Sequence, residues 1–255
     1  MPLIKNRKEY EIASRLGDVG GVSPLTILGH SDAVGTNLRV LHHQTNTMDL
    51  GIDALLATPA TVTISSTSAN DVLTSGSGAW TVQLAGINSA GDFVTENLNL
   101  TGQSAVTSVN TYQFIFSTTV IAAGATGSNA GILYVGTGTV TTGVPAVVNC
   151  SAEIGTNLSR VCAYMVPNNK ALVLNQILCF SGDTNKTLNF QFLQRPAATG
   201  LWLEAFDVHT EQAEIDFSVQ SYPPLAAGDV VVVKADVNTG TAFVTIAVSG
   251  DLVDI

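Results

Sequence analysis

The sequence predicts an all-β protein: two antiparallel β-sandwich or jelly-roll-like domains preceded by an N-terminal arm with one short helix. Three observations lead there. Short β-branched or alternating apolar runs recur about every dozen residues with Gly, Ser or Asn at the bends, the spacing of hairpin-built sandwiches and barrels. Hydrophobic residues make up 45% of the chain and charged ones only 12%, the reverse of a disordered composition, and 255 residues suffice for a full core. Only one stretch carries both a start and a stop signal for a helix.

Charge divides the chain. Five of the ten Lys and Arg residues lie in the first 39 positions, and none follows until Arg160. Residues 1–57 therefore read as an arm, 58–145 as a first β domain and 146–255 as a second, C-terminal β-sandwich domain. In the arm, Asn6 can cap a helix, Glu9 sits three residues on in capping-box position, Ile12, Ala13 and Leu16 share a face, and Gly17 ends it. Gly20, Gly21, Pro24, Gly29 and Gly35 then interrupt the chain too often for a core of its own.

The first β domain has strand patterns at 61–64, 79–85, 93–100, 112–120 and 131–135. Asn88, Ser89, Ala90, Gly91 and Asp92 supply hairpin turn chemistry between the second and third of these. The C-terminal domain has seven candidate strands at 160–166, 170–181, 187–193, 201–208, 213–219, 229–235 and 241–248. They are separated by turn residues such as Pro167-Asn168-Asn169 and Asn238-Thr239-Gly240. Jelly-roll and immunoglobulin-like orders both remain open.

The net charge of −10 argues against nucleic acid, which is bound by Lys and Arg neutralising phosphates, and against an anionic membrane surface. No apolar segment approaches a membrane-spanning length, and no apolar run follows Lys5, Arg7 and Lys8 as a secretory leader would require. Cys150, Cys162 and Cys179 lack metal or redox spacing and read as buried apolar residues of a chain folded in a reducing compartment.

No catalytic signature is present: no serine stands in a nucleophile elbow, and His30, His42, His43 and His209 do not form a zinc motif. His42-His43 reads as a surface or interface pair, because neighbours on a strand point to opposite faces. The acidic group Glu204, Asp207, Glu211, Glu214 and Asp216 could in principle serve a glycosidase or a calcium site, and reads instead as charged strand edges. The N-x-S/T sequences at Asn99, Asn149, Asn157 and Asn185 match by chance in so Ser- and Thr-rich a chain. Trp80, Tyr112, Trp202 and Tyr222 are candidate sugar platforms whose competing role is core filling. The expectation is therefore a non-enzymatic protein with no metal and no cofactor.

Residues 80–102, with Trp80, the turn to Asp92 and then Glu96, Leu98, Leu100 and Gly102, resemble a β-hairpin frequent in virion structural proteins of tailed bacteriophages, many of them marine. The continuation is similar, with a strand from 106 to 116 and a Gly-rich bend from Gly124 to Gly131. Pro167-Asn168-Asn169-Lys170 stands where that family has Pro-Ala-Gly-Lys. Arg195-Pro196 follows a strand, and Pro224 to Asp229 precedes one, as in the family. The likeness spans about residues 60–255 and rests on the order of these pieces. It implies a head-decoration, knob, collar or fibre-associated subunit, placed in the virion and assembled in the host cytoplasm.

The expected partners are further copies of the chain and other virion proteins such as the major capsid protein. A trimer is the first expectation, with a hexamer or twelvefold ring next. A carbohydrate- or host-receptor-binding module using Trp202 or Tyr222 is the alternative, and a hydrolase the third reading. The expected attachment interface is Lys5, Arg7, Lys8, Ile12, Arg15 and Leu16, the one basic patch together with an apolar helix stripe. The rival expectation is that Ile12 and Leu16 pack on the arm's own β domain.

Overall fold

The computed structural model describes residues 13–42, 53–159, 161–182, 185–211, 214–219 and 222–255. Within these, one helical turn at 13–15 is followed by strands alone. In chain order they are β1 (Val22–Val34), β2 (Arg39–Val40), β3 (Leu55–Ala60), β4 (Thr63–Ser66), β5 (Ala79–Asn88), β6 (Phe93–Asn99), β7 (Val106–Thr107), β8 (Tyr112–Ala123) and β9 (Leu133–Thr141). There follow β10 (Val144–Ala152), β11 (Ala163–Met165), β12 (Lys170–Ser181), β13 (Leu188–Arg195), β14 (Leu203–Thr210), β15 (Glu214–Ser218), β16 (Val230–Val237) and β17 (Ala242–Asp254).

The all-β expectation holds, but the expected pair of sandwich or jelly-roll-like domains does not. The strands form four small antiparallel sheets, set out in the manner of a four-bladed propeller, in the orders β1-β17-β12-β15, β11-β16-β13-β14 with β2 added to β16, β3-β8-β5-β6, and β10-β9-β4-β7. The reason two separate domains fail is visible in β16. Val230, Val231, Val232 and Val233 are all buried, and alternate residues enter different cores: Val230 and Val232 join the cluster of β3 to β10, Val231 and Val233 the cluster of β1, β12, β13 and β17. Neighbouring β11 does the same, with Ala163 and Met165 on one side and Tyr164 on the other. A strand buried on both faces reads as a continuous Val run in place of an alternating one, and one sheet here walls both cores. Phe116 of β8 packs against both clusters and stacks on Tyr164 with ring centroids 4.7 Å apart.

The compositional boundaries shift as well. Residue 145 falls inside β10, which pairs with β9, so the chain just beyond it belongs with the strands before it. Much of the expected arm is sheet: β1 pairs with β17 from Val22↔Val253 to Val34↔Ala242, joining the two ends of the chain. Its glycines are what allow this. Gly29 faces inward with Cys162 and Leu41 so close that an added Cβ would lie 2.6 Å from the Cys162 side chain.

Turns follow their residues. Gly17 has φ +76 and its N–H bonds to the Ser14 carbonyl at 3.0 Å, ending the helical turn where the sequence places the stop. Asn88 Oδ1 accepts from the Ala90 and Asp92 N–H groups and closes the β5–β6 hairpin. Asn169 takes φ +58, the left-handed conformation that Asn adopts more readily than most residues other than Gly.

Candidate assembly surface

Of the six residues expected to form the attachment interface, Lys5, Arg7, Lys8 and Ile12 lie outside the described residues. Arg15 and Leu16 are exposed, Leu16 at 70%. The helical turn rests on the outer face of the β1-β17-β12-β15 sheet by its polar side: Ser14 is 2% exposed and its Oγ donates to Asp251 at 3.2 Å. Of the apolar stripe, Leu16 is turned out while Ala13 is half-buried. Beside the turn lies a polar cleft lined by Arg15, Thr26, Asn175, Gln176, Asp216 and Asp251.

Adjoining that cleft at Leu25 and Thr26 is an apolar groove of about 430 Å³. Leu25 to Leu28 of β1 form one wall, and Phe93, Phe116, Leu158 and Tyr164 are prominent in the other. Phe93, Phe114 and Phe116 are in ring contact, with centroid separations of 5.8 Å and 5.1 Å to Phe116. Phe93 and Leu28 stay 54% and 44% exposed. A two-residue alternation in β1 sets this up, because Ile27 and Gly29 turn into the core while Leu28 turns out.

The remaining polar candidates occupy other places. Glu204 and Asp207 are on β14 and Glu214 and Asp216 on β15, the outermost strands of their sheets, all exposed, with Glu211 exposed just after β14. Charges on such edges discourage unwanted pairing. Among the described residues no group of three His, Cys, Asp or Glu side chains is placed to hold a metal ion. His42 is buried, at 5% exposure, with Nδ1 2.9 Å from the Val40 carbonyl, which corrects for this residue the reading of His42-His43 as a surface or interface pair; His43 lies outside the described residues.

All three cysteines are buried and free. Burial pushes the Cys150 thiol up to about 11 and the Cys179 thiol up to about 12. Cys162 is raised by burial and then by the proximity of Cys179. Thiols so held are poor nucleophiles and poor metal ligands at neutral pH. Of the aromatic candidates, Trp202 is 45% exposed between exposed Leu201 and Leu203. Tyr222 packs its ring 5.4 Å from Phe206 and donates its hydroxyl to Gln194. Tyr112 is buried against Glu96, and burial followed by that carboxylate pushes it up to about 12. Asn149 is 2% exposed and its amide donates to the Asp53 carbonyl at 2.6 Å, so its sequon is not presented at the surface.

Sequence reasoning missed Asp71. It is fully buried, Oδ1 accepting the Ala79 and Ala130 N–H groups at 2.6 and 2.8 Å and Oδ2 accepting the Ser66 hydroxyl and the Gly131 N–H at 2.5 and 2.9 Å. The carboxylate thus ties the loops after β4 and β8 to the start of β5. In sequence it stands in a run of Ser, Thr and Asn that any turn could share.

No family model matches the chain, and no curated protein matches it. Among solved structures, that of infectious bursal disease virus, Gt strain, aligns at 9% identity over 92% of this chain and 82% of that one, with a TM-score of 0.14. The VP2 subviral particle of the same virus aligns at 10% identity over 92% and 81%, with a TM-score of 0.14. T=1 particles derived from the virus align at 9% over 92% and 78%, with a TM-score of 0.13. This is a coarse likeness to proteins of virus particles, and scores this low carry no argument about fold or function.

Proposed function

We propose that the chain is a structural subunit of a virus particle of tailed-phage type, acting through interfaces with its own copies and with other particle proteins, and not through a reaction. The observation that carries this reading is the surface of residues 53–159. Their eight strands, β3 to β10, contain no Lys or Arg, and Phe93, Val109, Ile121, Val147 and Ile154 are between 48% and 88% exposed. A solitary soluble domain keeps about 25–35% of its surface charged, of both signs; apolar surface with few charges is what subunit interfaces bury. The order of hairpin and turn motifs from 80 to 229 supports the phage assignment and a decoration, collar or fibre-associated position. Exposed Leu16 above buried Ser14 supports attachment of the N-terminal segment to a neighbour. Immunogold labelling of purified particles tests the reading: label on intact virions is expected, and label confined to unassembled lysate protein overturns it.

A second reading, contact with a host glycan, is favoured by Trp202 alone, since it is the half-exposed indole on a hairpin flanked by exposed leucines. A glycan array comparing the protein with Trp202→Ala tests it, and equal binding by both, or none, removes it.

A further inference from the structure

β1 is an edge strand that pairs only with β17 among the described strands. An edge leaves alternate backbone N–H and C=O groups ready to take another strand. The edges of β14 and β15 carry Glu204, Asp207, Glu214 and Asp216, whereas β1 has no Asp, Glu, Lys or Arg before Asp32. Its open stretch, Leu25 to Leu28, is also one wall of the apolar groove. The structure therefore pairs a strand edge that carries no charged side chain from Leu25 to Leu28, with Pro24 just before it, with an apolar trough.

We propose that this groove receives residues 1–5 of a neighbouring copy, laid as an added strand along Leu25 to Leu28. The inference rests on the attachment reading and names the acceptor of that segment. Four features choose this occupant. Met1, Pro2, Leu3 and Ile4 are an uninterrupted apolar run as long as the groove's β1 wall, and Pro is tolerated at the start of an added strand. The run is followed by Lys5, Arg7 and Lys8, and the cleft that shares Leu25 and Thr26 with the groove is lined by two carboxylates, Asp216 and Asp251, against one cation, Arg15. Residues 6–12 link the run to Ala13 and span up to about 28 Å when extended, a reach that can carry the run beyond its own sheet. Leu16, at 70% exposure, leaves one apolar side chain of the helical turn available to a neighbour.

The test places a photo-crosslinking phenylalanine analogue at Leu28 of the full-length chain, co-expressed with a second copy bearing a different affinity tag. Irradiation should yield a species carrying both tags, with the link on the tryptic peptide that ends at Lys5. A Leu3→Asp/Ile4→Asp variant as the second copy should lower that product at least tenfold while leaving the thermal midpoint of the isolated protein unchanged. A link within one copy, a link to any other segment, or no link in assembled protein overturns the proposal. If the Leu3/Ile4 variant fails to assemble but wild-type links map elsewhere, the groove assignment falls and the attachment reading stands. If a chain lacking residues 1–12 assembles normally, both fall.

Discussion

Asp71 is the residue on which one end of the β3-to-β10 half depends. Replacing it with Ala strands three backbone N–H donors, those of Ala79 and Gly131 buried and that of Ala130 partly so, and each unsatisfied buried donor costs about 1–3 kcal/mol. Asp71→Ala should therefore lower stability by about 3 kcal/mol or more, read as a shift in the urea midpoint at unchanged slope. Gly91 is a second such position: its φ is +89 and an added Cβ would lie 2.6 Å from Asn168 Oδ1, in the contact where Asn168 donates to the Ala90 carbonyl and docks the β5–β6 turn on the turn before β12. The cysteines set an alkaline limit. Cys150 titrates at about 11 when folded against an ordinary 9.0, so between those values the unfolded chain has lost a proton that the folded chain keeps. Stability is unaffected by this group below pH 9 and falls as pH rises toward 11. Thermal midpoints measured across that window should decline, and Cys150→Ala should make the decline less steep, with Cys162 and Cys179 supplying the remainder; an identical slope in the variant would remove Cys150 as a source.

β16 is the element that makes the two cores one structure. Val231 and Val232 face opposite clusters, and trimming either to Ala removes two buried methyl groups, about 2 kcal/mol with the cavity included. Since they face different cores, the losses should add in the double variant, and each single change should weaken both halves together in one transition. Separate melting of the two halves by local probes such as Trp80 and Trp202 would contradict a shared wall. β1 sets a second limit. The described strands begin at Val22, so deleting residues 1–12 removes none of them, whereas removing 1–34 strips β1 from β17 and uncovers the cluster that Ile27 and Val34 complete. The shorter deletion should keep the thermal midpoint and the longer one should give aggregated protein, checked by circular dichroism and light scattering.

Residues 53–159 carry no Lys or Arg and five Asp or Glu, of which Asp71 and Glu153 are buried, so this half presents few charges of either sign, while half of the ten basic residues lie in the first 39 positions. Native mass spectrometry at micromolar concentration should show a homo-oligomer, with a trimer as the first candidate. The oligomer should loosen in raised salt only modestly, because exposed ion pairs contribute about 0–1 kcal/mol each and are screened, while apolar burial persists. A single-chain species alone would count against assembly.

Local chemistry makes much of the molecule legible in its sequence. The β5–β6 hairpin is announced by Asn88 to Asp92, the helix stop by Gly17, and the charged edges of β14 and β15 by their carboxylates, because each depends on residues within a few positions of one another. The exposure of Leu16 and the burial of Ser14 needed the tertiary structure, since a helical pattern shows a stripe without showing what the stripe faces. Asp71 was hidden for the same reason: its donors at Ala79, Ala130 and Gly131 are brought to it by loops distant in sequence. The largest decision left to the tertiary structure was the division of the strands. Charge drew boundaries at 57 and 145, yet β1 pairs with β17 and β10 with β9, because antiparallel ladders answer to register and apolar alternation, not to where Lys and Arg fall. The Val230 to Val233 run shows the limit most directly: the sequence by itself determined a buried strand, and only packing decided that its two faces would serve two cores.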